Sequence, residues 1–168
     1  AYESNQQKLE NYLKEIPVRE HEWDRRHVPY EIANAEHLAM SDSVGMINLS
    51  HFPIMDIEGK DAERMLEYLS LAKVGGDTPE GRMIYTNFLD EDGGVHADLT
   101  ISRLGKDRYR VVTGGADGNR DWLTLRNYRD DKGLDADIKI RTHDIATLGL
   151  WGPQAKNALG HFIDPNEI

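Results

Sequence analysis

The residues with the most chemical potential lie in the stretch 82–105, RMIYTNFLDEDGGVHADLTISRLG, where a carboxylate, Asp98, interrupts an otherwise apolar strand pattern. A charge in such a run costs free energy unless it faces water, accepts hydrogen bonds or meets a ligand. Strand alternation sets Asp98 on the face of Thr100 and Ser102, opposite Leu99 and Ile101. That placement suits either a solvated strand face or a carboxylate aimed at a bound molecule. His96 lies two residues earlier, so alternation puts it on the same face, where a His-x-Asp pair could share a proton or contribute to a metal site. Two ligands are too few, and His21, His27, His37, His51, His143 and His161 lack ligand spacing, so no metal centre is expected. Ser50-His51 has neither an elbow motif nor a third partner and reads as a polar strand end. The glycines of VVTGGADGN (Gly114, Gly115 and Gly118) do not have G-x-G-x-x-G spacing, and a tight turn into a helix accounts for them as well as a phosphate loop would.

The elements that must position these residues follow a regular order. A polar arm over 1–26 has Trp23 as its large anchor and reads as a strap across a larger body; its DRRH run at 24–27 reads as a solvated face or a contact with neighbouring protein. After Pro29, Ile32, Ala35, Leu38 and Ala39 stand near helical spacing, with Gly45 following where a helix would have stopped. Short apolar strands broken at Pro53 come next, then a helix opened by Asp61 with Ala62, Met65, Leu66 and Leu69 along one side. MIYTNFLDE and HADLTISRL flank an Asp-Gly turn and read as an antiparallel hairpin, and RYRVVTGG adds a third strand. A helix over 118–131 carries Trp122, Leu125 and Arg126 on one side; DIKIRTHD and IATLGLWG are strands, and Pro153 starts a last short helix. This order fits an α+β fold built on a ferredoxin-like split β-α-β unit.

Composition narrows the function. The chain has 168 residues, enough for one compact core and a second small one. Its 30 acidic against 20 basic residues give a net charge of -10, which repels phosphate backbones and anionic membranes, so neither nucleic acid nor membrane is an expected partner. The absence of cysteine excludes disulfides and thiolate chemistry. No apolar run is long enough to cross a bilayer, and AYESNQQKLE has no signal-peptide character, so a reducing compartment is expected, cytoplasmic or the mitochondrial matrix of a eukaryote.

Three strings carry a specific likeness: VGMINLSHF, IYTNFLDEDGGVHADLTISRLGKDRYRVV and LGLWGPQAKNAL. They resemble the aminomethyltransferase (glycine-cleavage T-protein) family, whose members bind tetrahydrofolate. YESNQQKL, the following Glu-Trp and the Ile-Ala-x-Ala-Glu tract are similar to one branch, the FAD-dependent dimethylglycine and sarcosine dehydrogenases and oxidases. The resemblance implies a domain order of an N-terminal strap or linker (1–29), the first part of a folate-binding subdomain (30–54), a ferredoxin-like folate-binding subdomain (55–154) and the start of a returning α/β subdomain (155–168). It also implies that Asp98 is the catalytic carboxylate beside the pterin and that Tyr85 lines the folate pocket. Thr100, Phe52 and Gly114 match further pocket positions. Ala97 replaces the first member of a common double aspartate, and Thr113 stands where T-proteins commonly have asparagine.

A complete family domain is longer than this chain. The remainder of the same polypeptide, or a partner subunit, is expected to carry FAD and the second half of the folate domain, with oligomers possible. The implied reaction traps the oxidised methyl group of a small N-methyl substrate as methylenetetrahydrofolate. Three alternatives stand beside it: a glycine-cleavage-type aminomethyltransferase serving a lipoyl carrier, a non-catalytic pterin-binding subunit, and a demethylase of sulfonium or ether substrates.

Overall fold

The computed structural model describes residues 2–15, 30–164 and 166. The chain divides into two compact units, residues 1–48 with 148–168, and residues 49–147.

In the first unit, α1 (Tyr2–Glu15) and α2 (Tyr30–Asp42) pack together. The arm is thus helical over its first half, as its run of Glu, Gln, Lys and Leu favours, while Trp23 and the 24–27 run lie outside the described residues. The Tyr12 hydroxyl donates to the Asp42 carboxylate across the pair. β1 (Gly45–Asn48) pairs antiparallel with β7 (Leu148–Trp151), and α5 (Ala155–Leu159) follows. Pro153, expected to open this last helix, lies one residue before its N-cap, Gln154. Gly152, between β7 and α5, has φ 113°, and a Cβ there would come within 2.4 Å of the Met40 and Ser43 carbonyl oxygens. Only glycine fits that turn.

The second unit is built on β2 (Ile54–Glu58), α3 (Ala62–Leu69), β3 (Met83–Leu89), β4 (Val95–Gly105), β5 (Arg108–Thr113), α4 (Gly118–Lys132) and β6 (Asp137–Ile140). Its five strands form an antiparallel sheet in the order β3-β4-β5-β2-β6. The α+β expectation holds: β2-α3-β4-β5-α4-β6 is the split β-α-β arrangement, with β3 added at one edge. The β3–β4 turn is tied by Asp90, whose Oδ1 accepts from the backbone N–H groups of Asp92 and Gly94.

Both helices cover one face of this sheet. Ala62, Met65, Leu66 and Leu69, at the expected helical spacing, and Leu125 of α4 meet Phe88, Leu99, Ile101, Tyr109 and Val111 in a single core. Tyr109 is fully buried and donates its hydroxyl to Glu63 Oε2 at 3.0 Å. Glu63 Oε1 in turn accepts from the Gly76 N–H, and Glu67 Oε1 from those of Val74 and Gly75, which ties the loop between α3 and β3 to the helix. The opposite face is polar toward β6: Arg110 grips Asp56 through two bonds of 2.7 and 3.0 Å, and Arg141 bridges Asp56 to Asp144.

Phe88 has no exposed surface, so Phe88→Ala is expected to destabilise the protein by about 3–5 kcal/mol in urea titrations. Burial, and then the bond to Glu63, push the Tyr109 phenol above its ordinary value of 10.0. A raised folded-state value means that this stabilisation is complete below the unfolded value and is lost as pH rises above it. Tyr109→Phe should therefore flatten the alkaline limb of the stability profile while leaving its pH dependence near neutrality unchanged.

Candidate functional site

The open face of the five-stranded sheet brings the sequence candidates together. The registers pair Tyr85 with Thr100, Thr100 with Val112, and Val112 with Ile54, so these four form one cross-strand row. In the next row toward the β3–β4 turn, Asn87 pairs with Asp98. The pairing of Leu99 with Thr113, taken one residue further, sets Gly114 beside Asp98. The bond from Thr113 N–H to Pro53 O carries the β2–β5 contact one residue past Ile54, and Phe52 lies beyond it in a turn closed by its own N–H to Leu49 O. Even spacing along antiparallel strands puts Tyr85, Asn87, Asp98, Thr100, Val112 and Ile54 on the face away from α3 and α4. The burial pattern agrees: Ala97, Leu99 and Ile101 are buried between exposed Asp98 and half-buried Thr100 and Ser102.

Tyr85 and Asp98 meet across the two strands as diagonal neighbours. The Asp98 carboxylate, first as an acceptor near the Tyr85 hydroxyl and, after partial desolvation, through its charge, raises the phenol above its ordinary value. Asp98 is nonetheless exposed and Tyr85 keeps 69% of its surface accessible, so this face is an open platform rather than a closed pocket. A sheet can supply only one wall. The platform combines a carboxylate, a phenol, a carboxamide and a hydroxyl with the half-buried Val112, a mixture suited to a flat ligand with both ring faces and polar edges, whereas Ile54 at the end of the row is buried.

At the sheet end the glycine loop packs closely. The His51 ring stands edge-on to Phe52, with centroids 4.9 Å apart. A Cβ on Gly115 would lie 2.5 Å from His51 Cδ2, so the close approach there belongs to Gly115, whereas at Gly114 the nearest atom is 4.0 Å away. Thr113 takes the other direction. Its side chain is buried on the helix-covered face, where Oγ1 has no hydrogen-bond partner among the described residues.

One expectation is overturned. His96 does not share the face of Asp98, because Phe88 pairs with Ala97 while Leu89 pairs with Val95, which leaves His96 as the extra residue of a β-bulge. Its Nε2 lies 3.1 Å from Thr124 Oγ1 on α4. Alternation fails at that point because two residues of β4 oppose one step of β3. Asn87 went unnoticed in the sequence, although its spacing from Tyr85 and the hairpin pairing carried the signal. Asp121 was also missed: it is fully buried in the first turn of α4, with Arg120 at 3.3 Å from its Oδ1.

Comparison with known proteins agrees with the fold. A family model described as the GCVT N-terminal domain matches residues 9–167. Among solved structures, the glycine cleavage system aminomethyltransferase T from Bartonella henselae is similar over 79% of this chain and 36% of its own, with 26% identity and a TM-score of 0.66. The chain therefore spans 36% of the length of that relative. No described helix is long and apolar enough to cross a membrane. With the family model covering nearly all of the sequence and the sheet matching a solved aminomethyltransferase, the chain belongs to the aminomethyltransferase family of GCVT N-terminal domains.

Proposed function

We propose that this chain supplies the tetrahydrofolate-binding, one-carbon-transfer surface of an FAD-dependent N-demethylating oxidoreductase of the dimethylglycine or sarcosine type. The observation that carries the folate part is the pairing of Asp98 and Tyr85 on one open sheet face. The oxidase branch rests on the N-terminal strings YESNQQKL and Ile-Ala-x-Ala-Glu. Tetrahydrofolate supplies the nucleophilic amine that takes up the one-carbon unit, and FAD, held outside this chain, takes the electrons of the methyl oxidation.

The chain's own residues then have distinct tasks. The Asp98 carboxylate would accept the N–H of the folate amine and take its proton as that amine adds to the C=N carbon of the oxidised substrate, whose π electrons return to the substrate nitrogen, and its charge would offset the positive charge developing on the amine. The Tyr85 hydroxyl, diagonal to Asp98 across the two strands, would donate to the same carboxylate and leave acceptor lone pairs for the ligand. The Tyr85 and Phe52 rings would hold the pterin, Thr100 would offer it a hydroxyl, and the Gly114 backbone would let it approach the loop. The remainder of the polypeptide or a partner subunit closes the platform and excludes water.

A second reading has its own support. The match to the Bartonella henselae protein favours a glycine-cleavage-type aminomethyltransferase, in which the same platform would receive the one-carbon unit from a lipoyl carrier. Flavin absorbance of the intact protein separates the two, since only the demethylating reading requires a yellow protein. In the intact protein Asp98→Asn is expected to lower methylene transfer about 10²–10⁴-fold, with N-demethylation continuing and formaldehyde released. Normal folate product from that variant would remove the catalytic role of Asp98 and leave a pterin-binding surface alone.

A further inference from the structure

Asn87 is the direct cross-strand partner of Asp98, and backbone direction fixes the kind of pair they form. The Asn87 carbonyl accepts from the Leu71 N–H at 2.9 Å, so it points to the outer edge of the sheet, away from β4. A residue whose backbone groups turn away from the neighbouring strand stands in a non-hydrogen-bonded pair, where facing side chains come closest, with Cα atoms about 4.5 Å apart. The base of the Asn87 side chain is therefore nearer to Asp98 than that of the diagonal Tyr85.

The segment that receives this carbonyl also braces the edge strand on either side of Asn87. Ser70 bridges to Phe88, and the Ala72 N–H donates to Thr86 Oγ1 at 3.1 Å. With β4 along one side and residues 70–72 along the other, Asn87 is held in place before any ligand arrives.

Its side chain has polar groups to spare. Nδ2 donates to the Ala97 carbonyl at 3.5 Å, a bond that only the NH2 end of the amide can make. A second Nδ2 proton remains, and Oδ1 has no partner among the described residues, which leaves a donor and an acceptor together on a half-buried side chain of the open face. Asp56, a carboxylate on the same face, provides a contrast: its direct partner is Arg110, which grips it through two hydrogen bonds. Opposite Asp98 the partner is neutral, so it leaves the charge of the carboxylate in place and its own donor and acceptor uncommitted.

We infer that Asn87 is a further ligand-binding residue: its carboxamide hydrogen-bonds the polar edge of the folate ring system beside the amine that Asp98 serves. The group it fits is a donor and an acceptor side by side, as an amide-like ring edge presents them. This inference deepens the folate reading given above and rests on it.

The test uses the intact protein with tetrahydrofolate as the probe, measured by direct binding and by steady-state transfer. Asn87→Leu, which keeps the approximate size and removes both donor and acceptor, should weaken tetrahydrofolate binding about 10-fold. KM should rise by the same factor with kcat unchanged, the mark of a contact made equally in the ground and transition states. Asn87→Gln, which retains the amide, should recover most of the lost affinity. Asn87→Ala provides the same measurement should the leucine variant not fold. Wild-type affinity in the variants that lack the amide would overturn the inference and leave the folate reading standing. Failure of the unsubstituted protein to bind tetrahydrofolate would overturn both.

Discussion

The candidate site depends on strand register at one edge of the five-stranded sheet. Tyr85 and Asp98 are thirteen residues apart in the chain, and they meet because β3 and β4 pair with Tyr85 opposite Thr100 and Asn87 opposite Asp98. Pairing of this kind has two outcomes for any residue, since a slip of one position exchanges the two faces. Here the choice is over-determined. Phe88, Ala97, Leu99 and Ile101 are all buried under α3 and α4, and burying them obliges Asp98 to face the other way.

The same constraint explains why a carboxylate is tolerated next to a core strand. The sheet's two faces have separate tasks: one packs Met65, Leu66 and Leu125 against aromatic and branched side chains, and the other carries polar groups along its length. Toward β6 those polar groups neutralise one another, with Arg110 and Arg141 converging on Asp56. Toward β3 the pattern changes. Among the described residues Asp98 has a phenol beside it rather than a cation, so its charge is not cancelled. A carboxylate in that state can still accept a proton or an N–H from a ligand, whereas one locked in a bidentate arginine pair cannot do so without losing that pair.

The platform is open, and this bears on how the chain works. An exposed carboxylate and a phenol with most of its surface accessible lack the water exclusion that strengthens electrostatic catalysis. The match to an aminomethyltransferase of which this chain spans 36% gives the openness a context, because the relative has further chain with no counterpart in these residues. One wall, correctly furnished, is what this unit presents.

Much of this was legible in the residues themselves. The helical spacing of Ala62, Met65, Leu66 and Leu69, the Asp-Gly turn, and the opposite facing of Asp98 and Leu99 all follow from local periodicity, which a single chain segment carries in full. The strings around Tyr85 and Asp98 likewise identified the family. The diagonal placement of those two side chains, the pairing of Asn87 with Asp98, and the diversion of His96 to α4 were settled only by the tertiary structure. Cross-strand neighbours depend on pairing between segments distant in sequence, and a bulge breaks alternation at one residue with no local signature. Periodicity tells which residues share a face of one strand; only the docking of strand on strand, and of helix on sheet, decides which of them touch.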